Sequence, residues 1–310
     1  MNTIKYSLSA ACALTVLLMV VALASCEKVI IDDEETSGNM TGNLRVRVFE
    51  IEKTPFGSLT RAVEGANRTS TTRSAQAAAE VCTRLNFAIY NTDGSRVKQI
   101  NQVSGDKNFG QCSFQLDQGD YFLVVVGHSA NGNPTMTNPQ KISFTNAQGY
   151  TDTFLSGGDI AIEEEPLDID VTLERIVARC SFVLTDDIPA EVKKLQFYYT
   201  GGSGAFSAYT GLGSVNSKQT VTFDVTDGSQ KQFDLYTILH EESDNIALKV
   251  TALDAAGNTL YERDFDVPMT QNHITWLTGA FFGGGSGSSS TTVTGVTVDT
   301  DWAGETHLTF

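Results

Sequence analysis

What this chain lacks narrows its chemistry first. Its four histidines, His128, His240, His273 and His307, are scattered. His240-Glu241-Glu242 has no second histidine one helical turn away, so the two-ligand zinc motif is missing. Gly201-Gly202-Ser203-Gly204 lacks the second spaced glycine of a nucleophile elbow and lies in a Gly/Ser loop. Gly211-Leu212-Gly213 leads into no helical pattern, which leaves a dinucleotide site without support. No catalytic residue, metal ligand or cofactor is expected. Positive charge is short as well: 21 Lys and Arg against 37 Asp and Glu give a net charge of −16. That balance argues against nucleic acid and against adhesion to an anionic lipid surface.

Cysteine is sparse and odd in number once Cys12 and Cys26 are set aside, leaving Cys82, Cys112 and Cys180, which is no disulfide framework. In Cys112–Leu116 the cysteine shares its strand face with Phe114 and Leu116. In Ile176–Leu184, Cys180 shares its face with Ile176, Phe182 and Leu184. Both read as small buried hydrophobes. Cys82 is expected on the face opposite Leu85, Phe87 and Ile89, and free thiols are expected throughout.

What is present begins at the N-terminus. Lys5 supplies one positive charge, and an apolar run from Leu8 to Val21 follows, broken by Ser9 and Thr15. The run falls short of the ~20 residues a membrane span needs. Residues 1–25 read as a secretory signal peptide. Leu23-Ala24-Ser25-Cys26 resembles a bacterial lipobox, with Ser25 where Gly or Ala is usual, and makes Cys26 the expected lipidation site. The alternative is an ordinary signal peptide cleaved near Ala24. Each buried CH2 of an acyl chain contributes about 0.8 kcal/mol, so two or three chains would hold a soluble acidic body at a membrane. The tether, residues 26–42, carries Asp32-Asp33-Glu34-Glu35. It reads either as a solvated, self-repelling linker or as a tract resembling the one that sends lipoproteins of Bacteroides-like bacteria to the outer leaflet.

Beyond the signal no strong helical segment is visible. Glycine is abundant, proline scarce, and Val, Thr and Phe are frequent, which points to an all-β protein. Alternation predicts strands at Leu44–Ile51, Val81–Tyr90, Ser95–Asn101, Cys112–Leu116, Tyr121–His128, Lys141–Thr145 and Asp168–Leu173. Others are expected at Ile176–Leu184, Lys194–Tyr199, Thr220–Val225, Gln232–Leu239, Ile246–Asp254, Thr259–Val267 and Ile274–Phe282. Tyr121–Val126 is apolar on both faces and is expected to be a central strand. Short strands at regular spacing with polar turns argue for β-sandwiches. The length allows two, over residues 43–172 and 173–310. Thr54–Glu80 is an expected exposed loop carrying Arg61, Arg68 and Arg73. The Gly/Ser run 283–290 is an expected flexible linker before a last strand, Thr292–Val298, whose parity shifts at Gly295. Tyr198, Tyr199, Tyr209, Trp276 and Trp302 could stack on sugars or simply pack.

Leu173-Glu174-Arg175-Ile176-Val177-Ala178-Arg179, Ile188-Pro189, Leu195–Tyr199, Gln271-Asn272-His273-Ile274-Thr275 and Gly279-Ala280-Phe281-Phe282 together resemble the Bacteroidales fimbrial-anchor lipoprotein family of type V fimbriae. Val81–Val97 and Tyr121–His128 resemble strands of its first domain. The resemblance implies tandem transthyretin-like sandwiches, no enzymatic activity, an outer-membrane location facing the exterior, and a fimbrial shaft subunit as partner. It also implies assembly by donated strands, a form of β-augmentation. The segment carrying Thr292, Val293, Val296 and Val298 would be the exchangeable strand, or would pair within its own domain. In shaft subunits of related type a trypsin-like protease removes the lipidated first strand, and Arg61 is the candidate cleavage site here. Anchor, protease-matured shaft or tip subunit, and surface glycan-binding lipoprotein are the three readings left by the sequence.

Overall fold

A computed structural model describes residues 42–55, 78–145, 149–226, 228–283 and 302–310. The signal peptide, Cys26, the acidic tract, Arg61, and the segment with Thr292, Val293, Val296 and Val298 lie outside them. Met40 to Phe310 forms one compact unit. Its described part is all-β, with a single helical turn, α1 (Ala78–Val81).

The first half builds one seven-stranded sheet from β1 (Leu44–Pro55), β2 (Arg84–Asn91), β3 (Arg96–Val103), β4 (Gln111–Phe114), β5 (Gly119–His128), β7 (Thr153–Ile162) and β8 (Leu167–Arg175), in the order β3-β2-β5-β7-β8-β1-β4. The short β6 (Ile142–Ser143) stands apart. Asn91–Gly94 makes the β2–β3 hairpin, with Gly94 at φ 84°, a conformation that suits glycine. β5 and β7 pair along their whole length, whereas β7 and β8 meet only at Phe154↔Arg175 and Leu155↔Glu174. The sheet bends at that corner and folds onto itself. Leu85, Phe87, Leu123 and Val125 of one limb then share a core with Leu44, Val46, Ile169 and Val171 of the other. Gln102, 6% exposed, ties the two outermost strands together: its amide donates to the Gln111 carbonyl (2.7 Å) and the Asn108 carbonyl (3.1 Å) and accepts from the Gly110 N–H (3.0 Å).

The second half is a sandwich of two four-stranded sheets. One runs β13 (Gln232–Thr237), β9 (Ala178–Leu184), β16 (His273–Gly279), β17 (Gly304–Thr309). The other runs β12 (Gln219–Asp224), β10 (Lys194–Thr200), β14 (Ser243–Leu253), β15 (Thr259–Thr270). Cys180, Phe182, Leu235 and Leu277 from the first meet Phe197, Val250, Phe265 and Val267 from the second in one core. β11 (Ala205–Phe206) leaves this half and pairs with β6 of the other.

β5 and β2 bury both faces because the second half covers the outer one. Tyr90, Phe122, Val124 and Val126 pack there with Phe206, Ile238, Ile274 and Trp302. This explains the unbroken apolar run Tyr121–Val126. Two parity readings need correction. Cys82 lies in the same core as Leu85, Phe87 and Ile89, because the strand starts at Arg84 and alternation does not reach back to it. Ile176 lies apart from Cys180 in the core between the halves, because Ile176 and Val177 cross from β8 to β9 before alternation resumes at Ala178. Cys82, Cys112 and Cys180 are buried and none is in a disulfide, and burial pushes the Cys82 thiol up to about 12.

Candidate functional site at the terminal strands

β1 is the first strand among the described residues yet an inner strand of its sheet. It runs parallel to β8 from Leu44↔Leu167 to Pro55↔Arg175 and antiparallel to β4 from Leu44↔Phe114 to Arg47↔Gln111. Leu44 and Val46 are fully buried. On the opposite face Arg45 meets Asp168 at 2.9 Å, and Arg47 holds Asp170 through two bonds of 2.8 and 2.6 Å. Asn43 extends the ladder with its side chain, donating to the Leu116 carbonyl (2.8 Å) and accepting from the Leu116 amide (2.9 Å). A Cβ at Gly42 would stand 2.5 Å from the Phe114 carbonyl oxygen, so the strand enters through a gap that admits only glycine. The slot between β4 and β8 thus asks for an extended segment with alternate apolar side chains, which is the geometry of strand addition.

The last strand, β17, lies at a sheet edge, parallel to β16 from His273↔Gly304 to Thr278↔Thr309. Leu308 enters the sandwich core, and the Phe310 ring stacks on Phe182 at 5.1 Å and meets Phe265 edge-on at 4.9 Å. Glycine is required where the two backbones come closest: a Cβ at Gly279 would collide with the Phe310 carbonyl, and one at Gly304 with the His273 ring. Trp302 holds the start of the strand. The Arg175 guanidinium lies 4.0 Å from its ring centroid and 4.9 Å from that of Phe154. Arg179 lies 5.0 Å from Trp302 and 5.7 Å from Trp276, which stacks on His307 at 6.1 Å. Arg175 also grips Asp152 with two bonds (2.7 and 2.9 Å) and donates to Asn272 (2.9 Å). Asn272 adopts φ 56°, a left-handed conformation asparagine tolerates, and its carbonyl accepts the Ala303 amide at 2.9 Å. This junction was not read from the sequence. Its signal was a charge at a core-parity position: Arg175 continues the Leu167, Ile169, Val171, Leu173 face.

The other residues singled out from the sequence do not converge. Trp302 is 6% exposed and Trp276 partly buried, so both tryptophans are committed to the arginine column. Tyr199 is fully buried, and Tyr209 stacks on Phe122 at 4.6 Å. Ser203 is a buried loop staple whose hydroxyl donates to the Val215 carbonyl (2.7 Å) and accepts from the Val215 amide (3.1 Å). His240 follows β13 and meets the Gly213 carbonyl at 3.2 Å. His128 lies fully buried at the end of β5. Among the described residues no group of three His, Cys, Asp or Glu is placed to hold a metal, and no helix is long and apolar enough to cross a membrane.

No curated protein matches this chain. Among solved structures, a candidate adhesin from Bacteroides ovatus aligns at 18% identity and TM-score 0.43 over 60% of this chain and 77% of its own. A candidate polysaccharide-binding protein from Bacteroides thetaiotaomicron aligns at 10% and 0.41 over 59% and 72%. The fimbrial anchor protein Mfa2 from Porphyromonas gingivalis aligns at 14% and 0.40 over 72% and 81%. Residues 53–309 match a family model described as "Family of unknown function (DUF6562)". That match runs from within β1 to the end of β17, and the chain belongs to this family.

Proposed function

We propose that this chain is a non-enzymatic surface lipoprotein that anchors a fimbrium to the outer membrane, with Cys26 holding the lipid and two transthyretin-like sandwiches, residues 43–172 and 173–310, carrying the first shaft subunit. The observation behind the reading is the place of β1. The segment that follows the lipobox enters the protein as an inner strand, bonded on both sides, so an anchor at Cys26 is tied into the core of the first sheet rather than to a loose end. The partner subunit would be held by strand complementation, with the segment bearing Thr292, Val293, Val296 and Val298 as the candidate donor. Cys26→Ser is the test. The variant is expected in the soluble fraction, with fimbriae shed into the medium. A variant that still sediments with membranes removes the anchoring argument.

One observation favours a second reading. β1 lies wholly before Arg61, so cleavage after Arg61 would free an inner strand and open the β4–β8 slot to a donated one. The protein would then be a shaft or tip subunit. The N-terminus of material taken from cells separates the two: acylated Cys26 for the anchor, Ala62 for the processed subunit.

A further inference from the structure

We infer that β1 is a mechanical clamp, placed so that tension entering at the N-terminus loads all of its backbone bonds at once. The sense of the load rests on Cys26 as the anchor; the clamp itself rests on topology. β1 starts at Leu44, opposite Leu167, and ends at Pro55, opposite Arg175. The second half attaches at the Arg175 end: the chain continues from Arg175 through Ile176 and Val177 into β9, and Arg175 bonds Asn272 and stacks on Trp302. A pull on the N-terminus therefore draws β1 away from its Leu44 end, while the rest of the protein is held from the Pro55 end. The two forces oppose along the strand axis. Ladder bonds lie across that axis, so the nine β8 partners and four β4 partners of β1 share the load instead of failing in turn.

Three features resist sliding. Leu44 and Val46 would have to leave a closed core. The Arg45–Asp168 and Arg47–Asp170 pairs would have to break together. The ladder shifts register between Val48 and Glu50 and again between Glu52 and Pro55, so a slipped β1 cannot re-form its pairs by moving a whole number of residues. The far handle must sit beyond the junction. Ala255 does, because it lies in the β14–β15 turn, whereas the opposite ends of those strands pair at Ser243↔Thr270, beside Asn272.

The same molecule pulled from the other end of β1 gives the control. A handle at residue 54 draws on the Pro55 end, adjacent to the second half, so bonds break one after another from that end. Forced unfolding reads the barrier out of the native state. In single-molecule force spectroscopy on the full chain, pulling between the N-terminus and an Ala255→Cys handle is expected to need a rupture force on the order of twofold or more above pulling between a Thr54→Cys handle and Ala255→Cys. Equal forces, or a lower force from the N-terminus, overturn the clamp. So does rupture of the second half while β1 remains in place. Both pulls are made on the same Thr54→Cys, Ala255→Cys chain, so a folding defect cannot mimic the difference. Membrane fractionation of Cys26→Ser reports on the anchor separately, and either result can fail alone.

Discussion

Mild acid should destabilise this protein through one buried histidine. His128 is fully buried at the end of β5. The Ala130 amide donates to its Nδ1 (3.1 Å), so the ring proton sits on Nε2 and is donated to Asn86 Oδ1 (2.8 Å). The Asn86 amide in turn donates to Asn101 and Asn133 (2.8 and 3.1 Å). A second proton, on Nδ1, would point at the Ala130 N–H, and the Phe144 ring, 4.7 Å from the imidazole, offers no other acceptor. Burial first, and the nearby Arg84 cation second, hold the imidazole pKa down to about 4, against about 6.5 in an unfolded chain. Between those values the unfolded state binds the extra proton, so stability is full above pH 6.5 and falls as pH drops toward 4. At 1.36 kcal/mol per pH unit, the loss from pH 6.5 to 5 is about 2 kcal/mol. Hydrogen bonds lower the pKa values of Asp93, Asp254 and Glu262, so their losses begin only below about pH 5. Urea unfolding at half-unit pH steps measures the slope. His128→Gln keeps an amide donor and removes the titration, so its curve should be flat across the same interval. A flat wild-type curve, or a variant with the wild-type slope, refutes the assignment.

Gln102→Leu keeps the shape but orphans the Gly110 amide and the Gln111 carbonyl, and is expected to cost about 2–3 kcal/mol in urea unfolding. A cost near zero would mean the outermost strands of the first sheet are not held there. Arg175→Met leaves the Asp152 carboxylate without its partner and should cost about 3 kcal/mol or more. Because Arg175 also stacks on Trp302, amide exchange in Gly304–Thr309 should rise more than in β14; an unchanged pattern in β17 would separate the arginine from the C-terminal strand.

The sequence carried most strands because alternation is a local signal, and it failed where a distant segment set the conformation. β7 went unread because Ser156-Gly157-Gly158 weakens any strand pattern. The structure gives Gly157 its reason: a Cβ there would stand 2.8 Å from the Ala208 carbonyl, so glycine lets the 205–208 loop lie against the sheet. β17 went unread because Gly304-Glu305-Thr306-His307-Leu308-Thr309 holds one strong apolar residue. Its place is set by Trp302 before it and Phe310 after it, both anchored on residues far away in sequence. The Gly/Ser loop at 201–204 was legible as a loop. That it begins an excursion to the other half, where Ala205 and Phe206 pair with Ser143 and Ile142, was not.

The rhythm of short strands suggests two independent bodies, and the chain does change sheet between Arg175 and Ala178. Yet the surface each half turns to the other is core. Tyr90, Val124 and Val126 are fully buried on one side, and Phe206, Ile238 and Ile274 on the other. Separating the halves would expose these side chains at about 1.5–3 kcal/mol each and would also leave the Arg175–Asp152 pair without Asn272 and Trp302. A hinge at that point would break a core, not a surface contact. The only sequence sign of this was the strand Tyr121–Val126, apolar on both faces where an isolated sandwich strand would show one polar face to water. That doubled face is why tension reaching β8 passes into the second half through a packed seam as well as through the backbone.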